Sequence, residues 1–407
     1  LSKNRIVIVG NSAAGLSALE TIRRVDPECP ITIVSDEDMP AYSRVLTPYL
    51  ISGELDSIFI RTPEYYREMK VQTLLGRKAV KVESERVVLE GGQALPYDRL
   101  LIATGSSAAV PENLSTEVSG VFTLKNIRDA QQIRRSAQKA KRALIVGGGL
   151  ICLLVVRALL RLGLDLSIAV SSGRILSRML DEEGSSIVQR GLEARGVKIS
   201  TGMDIVGITS SEKRNCVAVS ATGEEFTADL VIIAKGIRSN TLLARESGIE
   251  TSRGILVDQY MRTSMANVFA AGDVAESKDL LIRGKRTICA TWLEAIYQGE
   301  LAGYNMAGIK RPTLGSLKMN VMEAADIPVA SIGIYDAPEK DGEMVVRSEG
   351  IYRKLVLRKD RIVGAVLVGD VSDAGVITTM IRRGLKLSAL KRLNLRQRFN
   401  FAGLMNV

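Results

Sequence analysis

Gly10, Ser12 and Gly15 stand between a β-branched run, Arg5-Ile-Val-Ile-Val, and the segment Leu-Ser-Ala-Leu-Glu-Thr-Ile-Arg. The types and the spacing suit a phosphate cradle. The first glycine lets the chain turn tightly, and the second small residue lets the backbone approach a pyrophosphate. The helix that follows aims its free N–H groups and positive dipole end at the phosphates. A second copy has Gly147 and Gly149 between Arg142-Ala-Leu-Ile-Val and Leu-Leu-Val-Val-Arg-Ala-Leu-Leu-Arg, with Cys152 at the third position. Each copy runs on into another apolar strand, Ile31-Thr-Ile-Val34 or Leu166-Ser-Ile-Ala-Val170. Strand, turn, helix and strand make a βαβ unit. Two such units predict two nucleotide-binding domains with parallel, doubly wound sheets.

Carboxylates at strand ends are the next candidates. Asp36, with Glu37 as second choice, follows the second strand of the first unit, where a carboxylate accepts hydrogen bonds from a ribose diol. Asp273 ends the strand Asn267-Val-Phe-Ala-Ala-Gly-Asp and is suited to bond a chain of hydroxyls. Another buried strand, Tyr97-Asp-Arg-Leu-Leu-Ile-Ala-Thr, ends in a tight turn at Gly105.

Other chemistry is excluded by composition. The chain has no histidine, which removes Ser-His-Asp and Cys-His nucleophilic systems, His-ligated metals and a histidine base. Its cysteines, at 29, 152, 216 and 289, are too scattered for a C-x-x-C pair, so no metal site is expected. Four isolated cysteines suit a reducing cytoplasm, the expected location. The 407 residues suggest two or three domains at roughly 150 residues each. With 46% hydrophobic and 25% charged residues, disorder, collagen and a disulfide scaffold are poor readings.

Lys3 and Arg5 precede an uncharged run that resembles a signal peptide, but the Gly10 turn splits it into strand, turn and helix. The uncharged run 143–156 is too short for a bilayer, so no membrane span is expected. The net charge is +10, and residues 374–407 hold no Asp or Glu. Arg382, Arg383, Lys386, Lys391, Arg392, Arg396 and Arg398 stand there. That cluster reads either as a solvated helix face with a tail or as a docking surface for an acidic partner. Phe399 and Phe401 flank this charge, but no recognised nucleic-acid reader accompanies them, and none is expected as partner.

Five segments in order are the Gly10 turn, Ala103-Thr104-Gly105, the Gly147 turn, Ala234-Lys235-Gly236 and Ala271-Gly272-Asp273. Over essentially the whole length this set resembles the FAD-dependent pyridine-nucleotide reductases, which include ferredoxin and rubredoxin reductases, NADH oxidases and disulfide reductases. Tyr42-Ser43-Arg44-Val-Leu-Thr-Pro-Tyr-Leu-Ile-Ser-Gly, Tyr352-Arg-Lys-Leu-Val-Leu and Ile362-Val-Gly-Ala-Val-Leu-Val-Gly-Asp370 narrow it. They are similar to rubredoxin reductases and the flavin module of NADH-dependent nitrite reductases.

The resemblance implies an α/β fold with two nested dinucleotide-binding, Rossmann-like domains and a small C-terminal α+β domain. Residues 1–112 and 242–316 would bind FAD, 113–241 would bind NAD(H) or NADP(H), and 317–407 would form the third domain. It places Gly10, Ser12 and Gly15 on the FAD pyrophosphate, Asp36 on the ribose and Asp273, beside Gly272, on the ribitol. Arg44, Thr104 and Gly105 would line the flavin side, and Trp292, Gln298 and Gly299 would pack near the isoalloxazine. Gly147, Gly149, Ser171 and Gly236 would hold the nicotinamide nucleotide.

Three departures qualify this. The family's C-x-x-x-x-C pair and C-terminal histidine are absent, and residues 41–53 contain no cysteine, so neither a dithiol relay nor a sulfenate is expected. Leu154 stands where many relatives have a Glu, and Tyr49 stands where its lysine partner would be. Ser171, Ser172 and Arg174 replace the carboxylate that favours NAD, which leaves NADP open. The expected function is an FAD oxidoreductase moving electrons between NAD(P)H and an acidic iron–sulfur carrier. The alternatives are a relay subunit in a complex with iron–sulfur subunits, and an NADH oxidase.

Overall fold

The computed structural model describes residues 4–210, 215–337 and 340–389. The chain divides into two compact units: Leu1–Val45, Ser57–Ser107 and Ile237–Leu317 form one, and Leu46–Asp56, Ala108–Gly236 and Lys318–Val407 the other.

The first unit is built on a five-stranded sheet in the order Val268–Ala270, Arg99–Ile102, Ile6–Val9, Ile31–Ser35, Val71–Leu75. Every neighbouring pair is parallel. All four residues of Ile6–Val9 are buried, as expected where both faces of a parallel strand are covered. The Ala13–Val25 helix turns Leu16, Leu19 and Ile22 inward and carries Arg23 and Arg24 in its last turn, where cations complement the helix dipole. It packs against the Trp292–Met306 helix at backbone distance. A Cβ at Gly299 would meet the Ala14 carbonyl oxygen at 2.2 Å, and one at Gly303 would meet the Thr21 Cβ at 2.8 Å. The glycines are therefore what lets these helices approach closely.

The second unit repeats the plan in the order Lys198–Thr201, Asp165–Val170, Arg142–Val146, Leu230–Ile233, Val121–Phe122, again all parallel. The Leu150–Arg161 helix, which follows the Arg142–Val146 strand, is apolar around most of its surface and buried to match. Its one buried cation, Arg157, pairs with Glu54 at 2.9 Å and lies 4.5 Å over the Tyr49 ring. This unit also carries an antiparallel sheet in the order Met319–Ala324, Ile327–Gly333, Arg361–Val368, Ile351–Arg358, Gly342–Ser348, with the Ala374–Arg383 helix against it. This is the expected α+β portion.

Asp181 joins the two layers of the second unit. It accepts from Gly184 N at 3.1 Å as N-cap of the Glu182–Glu193 helix. It also receives the Tyr352 hydroxyl at 2.6 Å and lies 3.1 Å from Lys354 Nζ. No helix among the described residues is long and apolar enough to cross a membrane. Of the basic C-terminal cluster, Arg382 and Arg383 end the last helix. Lys391, Arg392, Arg396 and Arg398 lie outside the described residues.

Candidate cofactor sites

The first turn is shaped by forbidden Cβ positions. Gly10 has φ +127°, a left-handed value, and a Cβ there would meet the Ala103 carbonyl oxygen at 2.1 Å. A Cβ on Gly15 would meet the Gly10 carbonyl oxygen at 2.0 Å. Strand, turn and helix thus close on one another as a pyrophosphate cradle requires. Ser12 is the N-cap residue of the Ala13–Val25 helix, and its side chain makes no capping bond. Beside it, Asn11 takes the Tyr66 hydroxyl on Oδ1 at 2.8 Å. Its Nδ2 is buried with no hydrogen-bond partner. A buried donor left unsatisfied in a glycine turn suits an anion, and these residues fit the pyrophosphate of FAD.

The carboxylates after the second strand differ in surroundings. Asp36 is exposed. Glu37 is half-buried, accepts from the Tyr42 hydroxyl at 2.6 Å and pairs with Arg44, whose guanidinium lies 5.0 Å from the Tyr42 ring centroid.

The strand-end turns of this unit come together. Thr104 Oγ1 donates to the Asn240 carbonyl at 3.0 Å, and Asn240 Nδ2 returns a bond to the Thr104 carbonyl at 2.8 Å. Gly105 (φ +66°) accepts from Asn240 N at 3.0 Å. Ser106 Oγ donates to the Asp273 carboxylate at 2.6 Å, and Ser239 Oγ donates to the Asp273 carbonyl at 2.6 Å. Gly272 (φ +83°) donates its N–H to Gln298 Oε1 at 2.9 Å, and Gln298 Nε2 donates to Ser316 Oγ at 3.1 Å. Trp292 opens its helix half-buried and packs against this unit's core. Asn11, Ser106 and Asn240 were not singled out in the sequence. Only Asn11 carried a signal, its place inside the glycine turn.

The second turn follows the same logic. Gly147 has φ +130°, and a Cβ there would meet the Ala234 carbonyl oxygen at 2.4 Å. Gly149, the N-cap residue of the Leu150–Arg161 helix, has open space at its Cβ position. Gly236 (φ +106°) is open as well. Ser171 is exposed at the end of its strand. Cys152 is fully buried, and burial pushes its thiol up. Burial likewise raises Cys29 and Cys216. All four cysteines are buried.

Two parallel sheets, each with a glycine turn feeding a helix, define a pair of dinucleotide-binding folds. The chain belongs to the pyridine nucleotide-disulphide oxidoreductase family, whose model matches residues 4–299. Residues 319–385 match the rubredoxin NAD+ reductase C-terminal domain. FAD and NAD(P)H are the cofactors of the family.

A nitrite reductase [NAD(P)H] of Bacillus subtilis is 31% identical over 406 residues, covering 98% of this chain and 49% of that protein. An NADH oxidase of Methanocaldococcus jannaschii is 30% identical, covering 92% of this chain and 90% of that one. The structure of an NAD-dependent persulfide reductase from A. fulgidus superposes with TM-score 0.88 at 28% identity, covering 96% of this chain and 79% of that one. The chain thus spans about half the length of the Bacillus relative.

Proposed function

We propose that this flavoprotein moves electrons between NAD(P)H and an iron–sulfur carrier or partner subunit, without a thiol relay. FAD, when bound, handles two electrons as a hydride on one side and single electrons on the other. The chain's contribution is binding and orientation. Gly10, Asn11, Ser12 and Gly15 would receive the pyrophosphate, Asp273 the ribitol hydroxyls, and Glu37 is favoured over Asp36 for the ribose because it is held in place by Tyr42 and Arg44. Gly147, Gly149 and Gly236 would receive the nicotinamide nucleotide. The organisation put forward remains FAD-binding 1–112 and 242–316, nucleotide-binding 113–241 and C-terminal 317–407.

The observation that carries this reading is the state of the cysteines. All four are buried and none falls in 41–53, so no thiol is poised to relay electrons. A second reading, a flavin relay within a larger assembly, is favoured by the length of the Bacillus relative, of which this chain matches about half.

Anaerobic titration of the purified holoprotein with NADH and with NADPH tests the first half. Reoxidation by an acidic ferredoxin, compared with oxygen, tests the second. Bleaching followed by fast reoxidation by the ferredoxin is expected. No bleaching by either nucleotide favours the relay, and fast peroxide or water formation with no transfer to the carrier favours an oxidase.

A further inference from the structure

We propose that the second nucleotide site takes the 2′-phosphorylated cofactor, NADP(H), in preference to NAD(H), with Ser171, Arg174 and Arg178 as the specificity-determining residues. This rests on the reading of the Gly147 turn as the nicotinamide nucleotide site.

The loop after the Asp165–Val170 strand is fastened to that turn. Leu176 N donates to the Gly148 carbonyl at 2.7 Å. Gly148 lies so close to the strand's last residue that a Cβ would meet Val170 Cγ1 at 2.7 Å. In a dinucleotide fold, the end of this strand is where the adenosine ribose is read. A carboxylate there accepts from the 2′- and 3′-hydroxyls and repels a 2′-phosphate, whereas a nearby Arg accommodates the phosphate.

Residues 171–180, Ser-Ser-Gly-Arg-Ile-Leu-Ser-Arg-Met-Leu, contain no Asp or Glu and two arginines. The first carboxylate downstream, Asp181, is engaged by Tyr352 and Lys354. The hydroxyl-bearing Ser171 is exposed at the strand end. Ser172 Oγ donates to the Arg174 carbonyl at 2.9 Å and receives Ser177 Oγ at 3.2 Å, which holds the loop in a tight turn. Arg178 is exposed and forms no ion pair among the described residues. Arg174 donates from Nη2 to the Leu180 carbonyl at 3.4 Å and is hydrogen-bonded to the Tyr335 side chain, while its buried Nε has no hydrogen-bond partner. The loop therefore offers hydroxyls and two guanidinium groups with no carboxylate partner among the described residues, and it has no carboxylate of its own to accept from a ribose diol in the NAD manner. Charge-assisted guanidinium–phosphate bonds are among the stronger polar contacts available.

Calorimetric titration of the oxidised holoprotein with NADP+ and with NAD+ decides the matter independently of turnover. NADP+ is expected to bind at least about tenfold more tightly, the equivalent of one charge-assisted contact. Arg178→Gln and Arg174→Gln should each remove much of that advantage while leaving NAD+ binding nearly unchanged. Ser171→Asp, at an exposed position that keeps the fold, should weaken NADP+ and strengthen NAD+. Equal or tighter binding of NAD+ by the natural chain overturns the proposal while leaving the site reading intact. An unaltered NADP+/NAD+ ratio in folded Ser171→Asp and Arg178→Gln variants also overturns it. Failure of both nucleotides to bind removes the site reading itself.

Discussion

Gln298 and Gly272 are joined by a buried hydrogen bond in which the Gly272 N–H donates to Gln298 Oε1 at 2.9 Å. Gln298 then donates from Nε2 to Ser316 Oγ at 3.1 Å, and Ser316 is 2.6 Å from Ser277 Oγ. With only 2% of its surface exposed, Gln298 is a clamp on the turn that carries Asp273, rather than a side chain reaching outward. Gln298→Leu would strand the Gly272 N–H in an apolar setting at a cost of about 1–3 kcal/mol. The expected result is a lower melting temperature and reduced FAD content, with Gln298→Glu recovering part of both. Flavin stoichiometry and thermal unfolding, measured together, check this.

Gly15→Ala places a methyl group where the Gly10 carbonyl oxygen lies 2.0 Å away. In an ordinary helix interior this exchange stabilises by roughly 0.5–1 kcal/mol, so the expected sign here is reversed by the clash. The variant should purify with little flavin. Full yellow colour at unchanged stoichiometry would falsify the placement of the pyrophosphate at this turn.

A chain with Cys29, Cys152, Cys216 and Cys289 all replaced by Ala should keep its rate of flavin reduction by the nucleotide. Burial raises the thiols of Cys29, Cys152 and Cys216, so the thiolate is scarce at neutral pH and the natural chain should react slowly with thiol reagents. Stopped-flow reduction of the folded variant is the measurement. A lost rate there counts against turnover without a thiol.

Asp181 makes the second unit sensitive to acid. Burial opposes its ionisation, yet the Tyr352 hydroxyl, the Gly184 N–H and the Lys354 ammonium together hold its carboxyl below the ordinary value. A depressed folded value means that its stabilisation is present above the unfolded value, about 3.9, and is lost as pH falls through the folded one. Asp181→Asn should therefore be less stable than the natural chain at neutral pH, with the difference shrinking below about pH 4. Urea unfolding across pH 3–7 provides the test, and a difference that grows toward low pH contradicts the assignment. At the alkaline end, burial lowers Lys354, but Glu343 and Asp181 raise it overall. Its contribution is complete below the unfolded lysine value and declines as pH rises through the higher folded one.

Changing Lys391, Arg392, Arg396 and Arg398 to Glu tests the C-terminal charge as a docking surface. Transfer to an acidic carrier should slow at low ionic strength and lose its salt dependence, because opposite charge speeds encounter and salt screens it over about 8–10 Å. Nucleotide-driven reduction of the flavin should not change. Carrier kinetics identical to those of the natural chain would show these residues to be a solvated surface alone.

Much of this molecule was legible in the order of its residues. The two βαβ units and their glycine turns are local patterns, whereas the C-terminal portion was expected only as a small α+β domain and its antiparallel strand order came from the structure. Gly10 and Gly147 announce positive φ because a turn of that tightness excludes a Cβ, and a β-branched run before it can only be a strand. The absence of histidine and of a cysteine pair is likewise complete in the sequence, and it removes whole classes of chemistry. Tertiary structure alone decided which neighbours complete each turn. Ser106 reaches Asp273, Asn240 reaches Thr104 and Gln298 reaches Gly272 across long stretches of chain. The same holds for Asp36 and Glu37, adjacent in sequence and equal in chemistry. One faces solvent, and the other is held by Tyr42 and Arg44. Spacing along a chain encodes backbone geometry over a few residues, but a hydrogen bond depends on approach to within about 3 Å, and between distant residues only the packed sheets and helices set that approach.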